Sequence, residues 1–215
     1  MNIEKLLNLL NTSGININDE SNNINRFGVY PKTQKECEIK YKNTTLLPLD
    51  IVLEKHHYYY GNPWIKGLLT MEILNYYGIQ KSNKLLEFGC GALRNGIHII
   101  RYLNNNSYFG SDCDIDSLKA AILYELPMND LIHKNPIIKL DNNFNINFVT
   151  NKVDYVLSTA VLHNDMDKKI LENAIINAYS ILNDTGYFIV TNFDITYIIK
   201  NTNFYLYDKK YYSTI

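Results

Sequence analysis

The chain has little from which to build a covalent, metal-held or membrane-bound scaffold. It contains three cysteines, Cys37, Cys90 and Cys113. An odd number without paired ligand spacing excludes a disulfide framework and a zinc knuckle. An excess of charge of one sign is missing too. The 21 basic and 22 acidic side chains leave a net charge of −1, so there is no bulk electrostatic footprint for a long nucleic acid. No apolar run approaches the roughly 20 residues that cross a bilayer. The first residues lack the apolar stretch and cleavage pattern of a secretory signal, so a soluble, cytoplasmic protein without membrane insertion is expected. Alanine is scarce, while asparagine clusters at 104–106 and 142–147. That bias follows nucleotide composition as readily as function and supports no binding assignment. At 215 residues, 46% of them hydrophobic, the chain is long enough for one continuous core.

The front of the chain differs from the rest. Residues 3–10 carry apolar side chains at helical intervals, and the polar stretch 11–14 is expected to end that helix. Residues 15–42 are polar and turn-rich. A dense group of imidazoles and aromatics follows, His56, His57, Tyr58, Tyr59, Tyr60 and Trp64, just before an expected helix over 65–77. Pro63 suits an early helical position, where its missing donor costs nothing. Leu68, Leu69, Ile73, Leu74 and Tyr77 are expected to form that helix's buried stripe. Residues 1–63 are thus read as an N-terminal helix, a polar arm and a segment that covers the substrate, and 64–215 as the ligand-binding domain.

From Lys84 onward strands and helices alternate. Strands are expected over 84–88, 108–112, 136–140, 153–158 and 186–191, and helices over 94–103, 116–126 and 168–182. Repeated strand and helix units with short connections imply an α/β fold, an open and mostly parallel Rossmann-like sheet with helices on both faces. In such sheets ligands bind at the carboxyl ends of the strands. Only 22 residues follow Phe193. They have room for a hairpin over 195–200 and 204–207, but not easily for a full helix as well, so either an abbreviated C-terminal edge is expected or the chain lacks part of the domain.

The strongest functional signal is Leu85-Leu-Glu-Phe-Gly-Cys-Gly-Ala-Leu-Arg-Asn-Gly96. An apolar strand ends in an acid, and three glycines precede a helix. Gly89 and Gly91 remove side-chain bulk where a ligand approaches the backbone, and Gly96 relieves crowding of the helix. In the dinucleotide pattern G-x-G-x-x-G the third glycine falls at position 94, which is Arg94 here, so a pyrophosphate-binding reading weakens. The glycine spacing does not fit a phosphate-binding P-loop either, and no G-K-S/T follows. A second acid, Asp112 in Tyr108-Phe-Gly-Ser-Asp112, ends the next strand, where a carboxylate can accept hydrogen bonds from both hydroxyls of a ribose. Beyond it, Asp116 is read as the cap of the next helix and Asp114 as a loop acid.

Together these segments resemble the class I S-adenosylmethionine-dependent methyltransferases, with Leu-Glu-Phe-Gly-Cys-Gly similar to their first motif and Gly-Ser-Asp112 to their second. The Leu-Arg-Asn-Gly continuation resembles a subgroup with members that act on small molecules and saccharides. The resemblance covers about residues 64–193. It implies that Glu87 lies near the methionine amino group of the cofactor, that Gly89 and Gly91 line the turn beneath it, and that Asp112 holds the ribose. Pro136-Ile-Ile-Lys-Leu-Asp-Asn-Asn-Phe144 resembles the third-strand region, placing 141–144 close to the adenine. Val153-Asp-Tyr-Val-Leu-Ser-Thr-Ala-Val-Leu-His163 resembles the fourth strand and its loop, with Ser158 facing the cofactor.

Methyl transfer from a sulfonium needs no metal, and a base only where the acceptor must lose a proton. His163, just past the fourth strand, is the first candidate for that base, and His57 the competing one. His56, Tyr59, Tyr60, Trp64 and Arg94 are the candidate acceptor contacts, Arg94 for a carboxylate or phosphate. No compact His/Asp/Glu pattern supplies a metal shell. The expected acceptor is a hydroxyl of a small molecule or saccharide. An RNA or protein substrate, or a non-catalytic binding subunit, are the alternatives.

Overall fold

The computed structural model describes residues 3–16, 67–162, 166–191, 196–200 and 203–205. His56, His57, Tyr59, Tyr60, Trp64 and His163 lie outside the described residues, as does most of the polar arm. Seven strands form one sheet: β1 Leu85–Phe88, β2 Tyr108–Asp112, β3 Ile137–Leu140, β4 Val153–Thr159, β5 Leu182–Thr191, β6 Thr196–Lys200 and β7 Asn203–Tyr205. Their spatial order is β3-β2-β1-β4-β5-β6-β7. The first five run parallel. The last two turn back as an antiparallel hairpin on β5, the short edge that the sequence leaves room for.

The sheet is covered on both sides because its inner strands bury alternate residues in opposite directions. Leu85, Tyr108, Ile138, Tyr155, Leu157 and Ile189 share one core with α2 (Leu68–Tyr76), α3 (Gly96–Tyr102) and α4 (Ile115–Ala120). Leu86, Phe88, Phe109, Val156, Phe188 and Val190 form the other core with α5 (Lys168–Ile181). Between β3 and β4 the chain takes turns in place of a helix, and Phe144, Ile146 and Phe148 cover that part of the second face.

Several boundaries differ from the sequence reading for identifiable reasons. Helix α1 (Ile3–Ser13) continues through its polar end because the Thr12 and Ser13 hydroxyls donate back to the carbonyls of Asn8 and Leu9. It stops at Gly14, whose φ of +75° is open to glycine. There Ile15 N donates to Leu10 O at 3.2 Å, and both side chains are buried, a hydrophobic C-terminal cap. Lys139 of β3 donates its ammonium to the Thr12 carbonyl, tying α1 to the edge strand. Helix α4 widens to a π turn over Ala121–Glu125 before a last turn, Leu126–Met128. The widening sits just before Pro127, which cannot supply the donor that a regular α turn requires. The cap position of α4 belongs to Asp114, and Asp116 lies in the first turn, the reverse of the sequence assignment. Helix α5 is capped by the Asp167 carboxylate, which accepts from Lys169 N at 2.8 Å and Ile170 N at 3.4 Å.

Helix α2 is rotated relative to the expected stripe. Leu74 is buried and Ile73 and Tyr77 pack on the core, but Leu68 and Leu69 are 49% and 51% exposed. Thr70 and Met71 point inward in their place. The polar Thr70 is tolerated there because Asn95 accepts its hydroxyl at 3.0 Å. Leu74→Ala is expected to cost about 2–5 kcal/mol of stability through the cavity it leaves. Ile176→Ala, at a position 64% exposed on α5, is expected to stay within about 0.5 kcal/mol. Urea unfolding of both variants checks the pair.

Candidate functional site

The carboxyl ends of β1, β2, β3 and β4 converge where the sheet order changes direction, between β1 and β4, the place where open α/β sheets take ligands. A cleft of about 300 Å³ opens there, with Glu87, Gly89, Asp112, Asp141, Phe144 and Thr159 among its walls.

Its floor is the turn after β1. Gly89 has φ +72° and Gly91 φ +52°, and a Cβ on Gly89 would lie 2.1 Å from Val161 Cγ2. Glycine is therefore required there by backbone conformation and by space alike. The turn is pinned to the end of β2. Gly89 N and Cys90 N both donate to Ser111 O, at 2.8 and 3.0 Å, and Gly91 N donates to Asp112 Oδ2 at 2.8 Å. The other Asp112 oxygen accepts from Asp114 N at 2.8 Å. Asp112 thereby shapes the turn from the cleft wall. Asp114, 5% exposed, accepts the Ser117 hydroxyl at 2.5 Å.

The remaining walls come from the next two strands. After β3, Asp141 N donates to Asp112 O at 2.9 Å. The Asp141 carboxylate accepts from Asn143 N, Asn145 N and the Asn145 amide, closing a turn that sets Phe144 at φ +55°. The Phe144 ring meets Phe88 edge-on at 5.2 Å, on the cleft wall where the sequence places 141–144. After β4, Thr159, Ala160 and Val161 line the cleft. Ser158 is fully buried within the sheet, paired in register with Phe88, one residue below that wall. Ala160, at φ +58°, is a second non-glycine residue held in the left-handed region beside the cleft. Such strain persists only where the surroundings enforce it, and it concentrates at ligand sites.

Glu87 is 1% exposed. Its carboxylate accepts from Tyr108 OH at 2.6 Å and Asn95 Nδ2 at 2.8 Å. Burial pushes its pKa from 4.5 up to about 7, against the hydrogen bonds of Tyr108 and Asn95 and the nearby Arg94 guanidinium, which favour the charged form. Arg94 is 8% exposed on the same wall. Cys90 is buried there too, and burial raises its thiol well above the usual range, which keeps it neutral and removes it as a nucleophile. The structure therefore gathers Glu87, Gly89, Arg94 and Asp112 around one cleft, with Gly91 in its turn. Asn95, Tyr108 and Thr70 complete the Glu87 environment, and none had a motif to mark it in the sequence. The one available signal for Asn95 was its place beside Arg94 in the glycine-rich segment. Among the described residues no three of His, Cys, Asp and Glu form a metal group, and no helix is long and apolar enough to cross a membrane.

No protein-family model matches the chain, and no curated protein matches it. Solved structures resemble it. An S-adenosylmethionine-dependent methyltransferase from Clostridium acetobutylicum is 16% identical over 60% of this chain and 48% of that chain, with a TM-score of 0.47. TrmN from Thermus thermophilus is 13% identical over 58% of this chain and 37% of that chain, at 0.49. An rRNA methylase from Streptococcus thermophilus is 11% identical over 59% and 71%, at 0.46. The chain thus spans about half or less of the length of the first two. Likeness at these identities assigns no residue roles.

Gly89→Ala is expected to lose about 1–3 kcal/mol of stability from backbone strain and the contact with Val161. Adding Val161→Ala should recover the contact part alone, which thermal unfolding of the single and double variants reads. Because the Glu87 pKa is raised on folding, from 4.5 to about 7, its contribution to stability is complete below about pH 4.5. It is lost as pH rises through 7, by an amount on the order of 3 kcal/mol. Glu87→Gln should therefore gain stability relative to the native protein between pH 5 and pH 8. A constant difference across that range would contradict the assignment.

Proposed function

We propose that the cleft binds S-adenosylmethionine and that the chain transfers its methyl group to an acceptor, foremost a hydroxyl of a small molecule or saccharide. The observation that carries this reading is the glycine turn after β1 hydrogen-bonded to the acid that ends β2, with a buried carboxylate at the same wall. The residues present suit the cofactor. Gly89 lets the turn close against Val161, which brings the end of β4 to the cleft. Asp112 ends β2 at the cleft wall, where a carboxylate can accept from ribose hydroxyls. The Phe144 ring offers an apolar face for a base, and Glu87 a counter-charge for the α-ammonium. The cleft, about 300 Å³, falls at the lower end of ligand-site sizes of roughly 300–1,000 Å³. Two polar atoms of cleft-lining residues, Asp114 Oδ1 and Thr159 Oγ1, are buried without a hydrogen-bond partner among the described residues, as in a site completed by a bound molecule.

When bound, the cofactor supplies a methyl group on a sulfonium with a good leaving group already in place. The task left to the chain is alignment and exclusion of water. Glu87, Asp112 and the glycine turn would fix the donor. His163, the next residue after Leu162, is the proposed base for the acceptor hydroxyl, and His57 the second candidate. His56, Tyr59, Tyr60 and Trp64 are the proposed acceptor contacts, with Arg94 for an anionic group.

Calorimetric titration of the folded chain with S-adenosylmethionine, S-adenosylhomocysteine and NAD tests the reading. Binding of the first two and not of NAD is expected, and failure of both sulfur compounds to bind would overturn it. Asp112→Asn and Asp112→Ala should each weaken that binding about tenfold or more, as for a lost hydrogen bond to a charged group of about 1.5–3 kcal/mol. His163→Ala should lower kcat with cofactor affinity kept.

A further inference from the structure

A line of buried hydrogen bonds runs from α2 to the cleft. Thr70 Oγ1 donates to Asn95 Oδ1 at 3.0 Å, Asn95 Nδ2 donates to Glu87 Oε1 at 2.8 Å, and from the opposite side Tyr108 OH donates to Glu87 Oε2 at 2.6 Å. All four side chains are buried. The ionised Glu87 fixes the sense of the Asn95 amide, because turning the amide oxygen toward it would set two acceptors face to face, and the Thr70 hydroxyl donates to the oxygen so placed. Both Glu87 oxygens then meet donors, an arrangement that favours the carboxylate, while the Tyr108 hydroxyl, which accepts as well as donates, also serves the carboxylic acid.

Burial acts in the opposite direction, and the two nearest charges oppose each other. Arg94, at the start of the α3 segment, favours the ionised form of Glu87, and Asp112, at the end of β2, disfavours it. The other titratable neighbours, Cys90 in the turn and Tyr108 on β2, are held neutral by burial. Helix α2 contributes only the Thr70 hydroxyl, through Asn95, and β4 places the apolar Leu157 in register with Glu87. A carboxylate so balanced is sensitive to one further positive charge.

We infer that Asn95 is a positioning residue that, acting through Glu87, stabilises the ionised form with which a cationic group of the bound ligand pairs, and that ligand uptake ionises Glu87 and releases its proton. The inference rests on the S-adenosylmethionine reading, in which the α-ammonium is that group. The balance is simple: the carboxylic acid of Glu87 gives its proton to solvent, and the carboxylate and the ammonium remain as an ion pair. Below the Glu87 pKa of about 7, the competent fraction of the protein, and hence the apparent affinity, rises about tenfold per pH unit. Losing the Asn95 donor removes one stabiliser of the charged form and moves that rise to higher pH.

The test compares two probes between pH 5.5 and pH 7.5, below the range in which an α-amino group loses its own proton, about 7.7–8.0. S-adenosylmethionine carries the amino-acid end, and 5′-methylthioadenosine lacks it and is uncharged. The native chain should bind the first about tenfold tighter per pH unit at the acid end, levelling off near pH 7. At pH 6 calorimetry in buffers of different ionisation enthalpy should show close to one proton released. Binding of 5′-methylthioadenosine should be flat. Asn95→Ala, and the milder Thr70→Val, should displace the S-adenosylmethionine profile to higher pH and weaken binding about three- to tenfold at pH 6.5, with 5′-methylthioadenosine binding unchanged. If S-adenosylmethionine binds with a flat profile, or both variants follow the native curve, or the two probes share one slope, the Asn95 inference fails while the cofactor reading stands. If neither probe binds, both fall.

Discussion

Two backbone N–H groups, one on Gly91 and one on Asp114, converge on the carboxylate of Asp112, and the geometry of the cleft follows from that convergence. The first fastens the turn after β1 to the end of β2. The second sets the chain leaving β2 so that Asp114 reaches the head of α4. Charge-assisted hydrogen bonds of this kind are stronger than neutral ones, and here they replace the ladder contacts that end where the strands end. Close packing of Gly89 against Val161 adds the end of β4 to the same construction. Two strands from one side of the switch point and one from the other are thereby held in fixed relation, and this is what makes a pocket out of four loop ends.

Above that rigid floor lies a group with a nearly even choice of charge. Glu87 is deep enough for burial to favour its neutral form, yet both its oxygens face donors. A site that must attract a cationic ligand from water and later let go of its product gains from such balance. A permanently ionised, fully buried carboxylate would carry a large desolvation penalty, and a permanently neutral one would offer the ligand little. The same four buried side chains connect the cleft to α2, the helix that directly follows the aromatic segment in which acceptor contacts are proposed.

Much of this arrangement was legible in the sequence. The second strand was read with the limits it has, Tyr108–Asp112, because a short apolar run between an asparagine-rich loop and an acid has few other solutions. The glycine turn and its two acids were legible because their chemistry depends on residue type at fixed spacing. The hairpin at the sheet edge was legible in two short strand-like runs either side of residues 201–203, and it forms over Thr196–Lys200 and Asn203–Tyr205. What was not legible depended on how the chain is delivered and packed, and not on residue type at a fixed spacing. The rotation of α2 that exposes Leu68 and buries Thr70 makes sense only once Asn95 is in place 25 residues on. The exchange of roles between Asp114 and Asp116 depends on where β2 delivers the chain, and the π turn of α4 on how the helix meets Pro127. Ser158 was placed one residue too far along the strand, since periodicity marks a strand's end less sharply than its middle. The readings that concern His163, His57 and the aromatic segment fall on residues outside those described.

A crystal structure of the chain with S-adenosylhomocysteine tests whether the loop ends of β1 to β4 take an adenosyl group. The ribose hydroxyls are expected on Asp112, the adenine beside Phe144 and the amino group at Glu87. An adenosyl group bound at another place, or none bound at saturating concentration in an otherwise intact fold, would contradict that expectation.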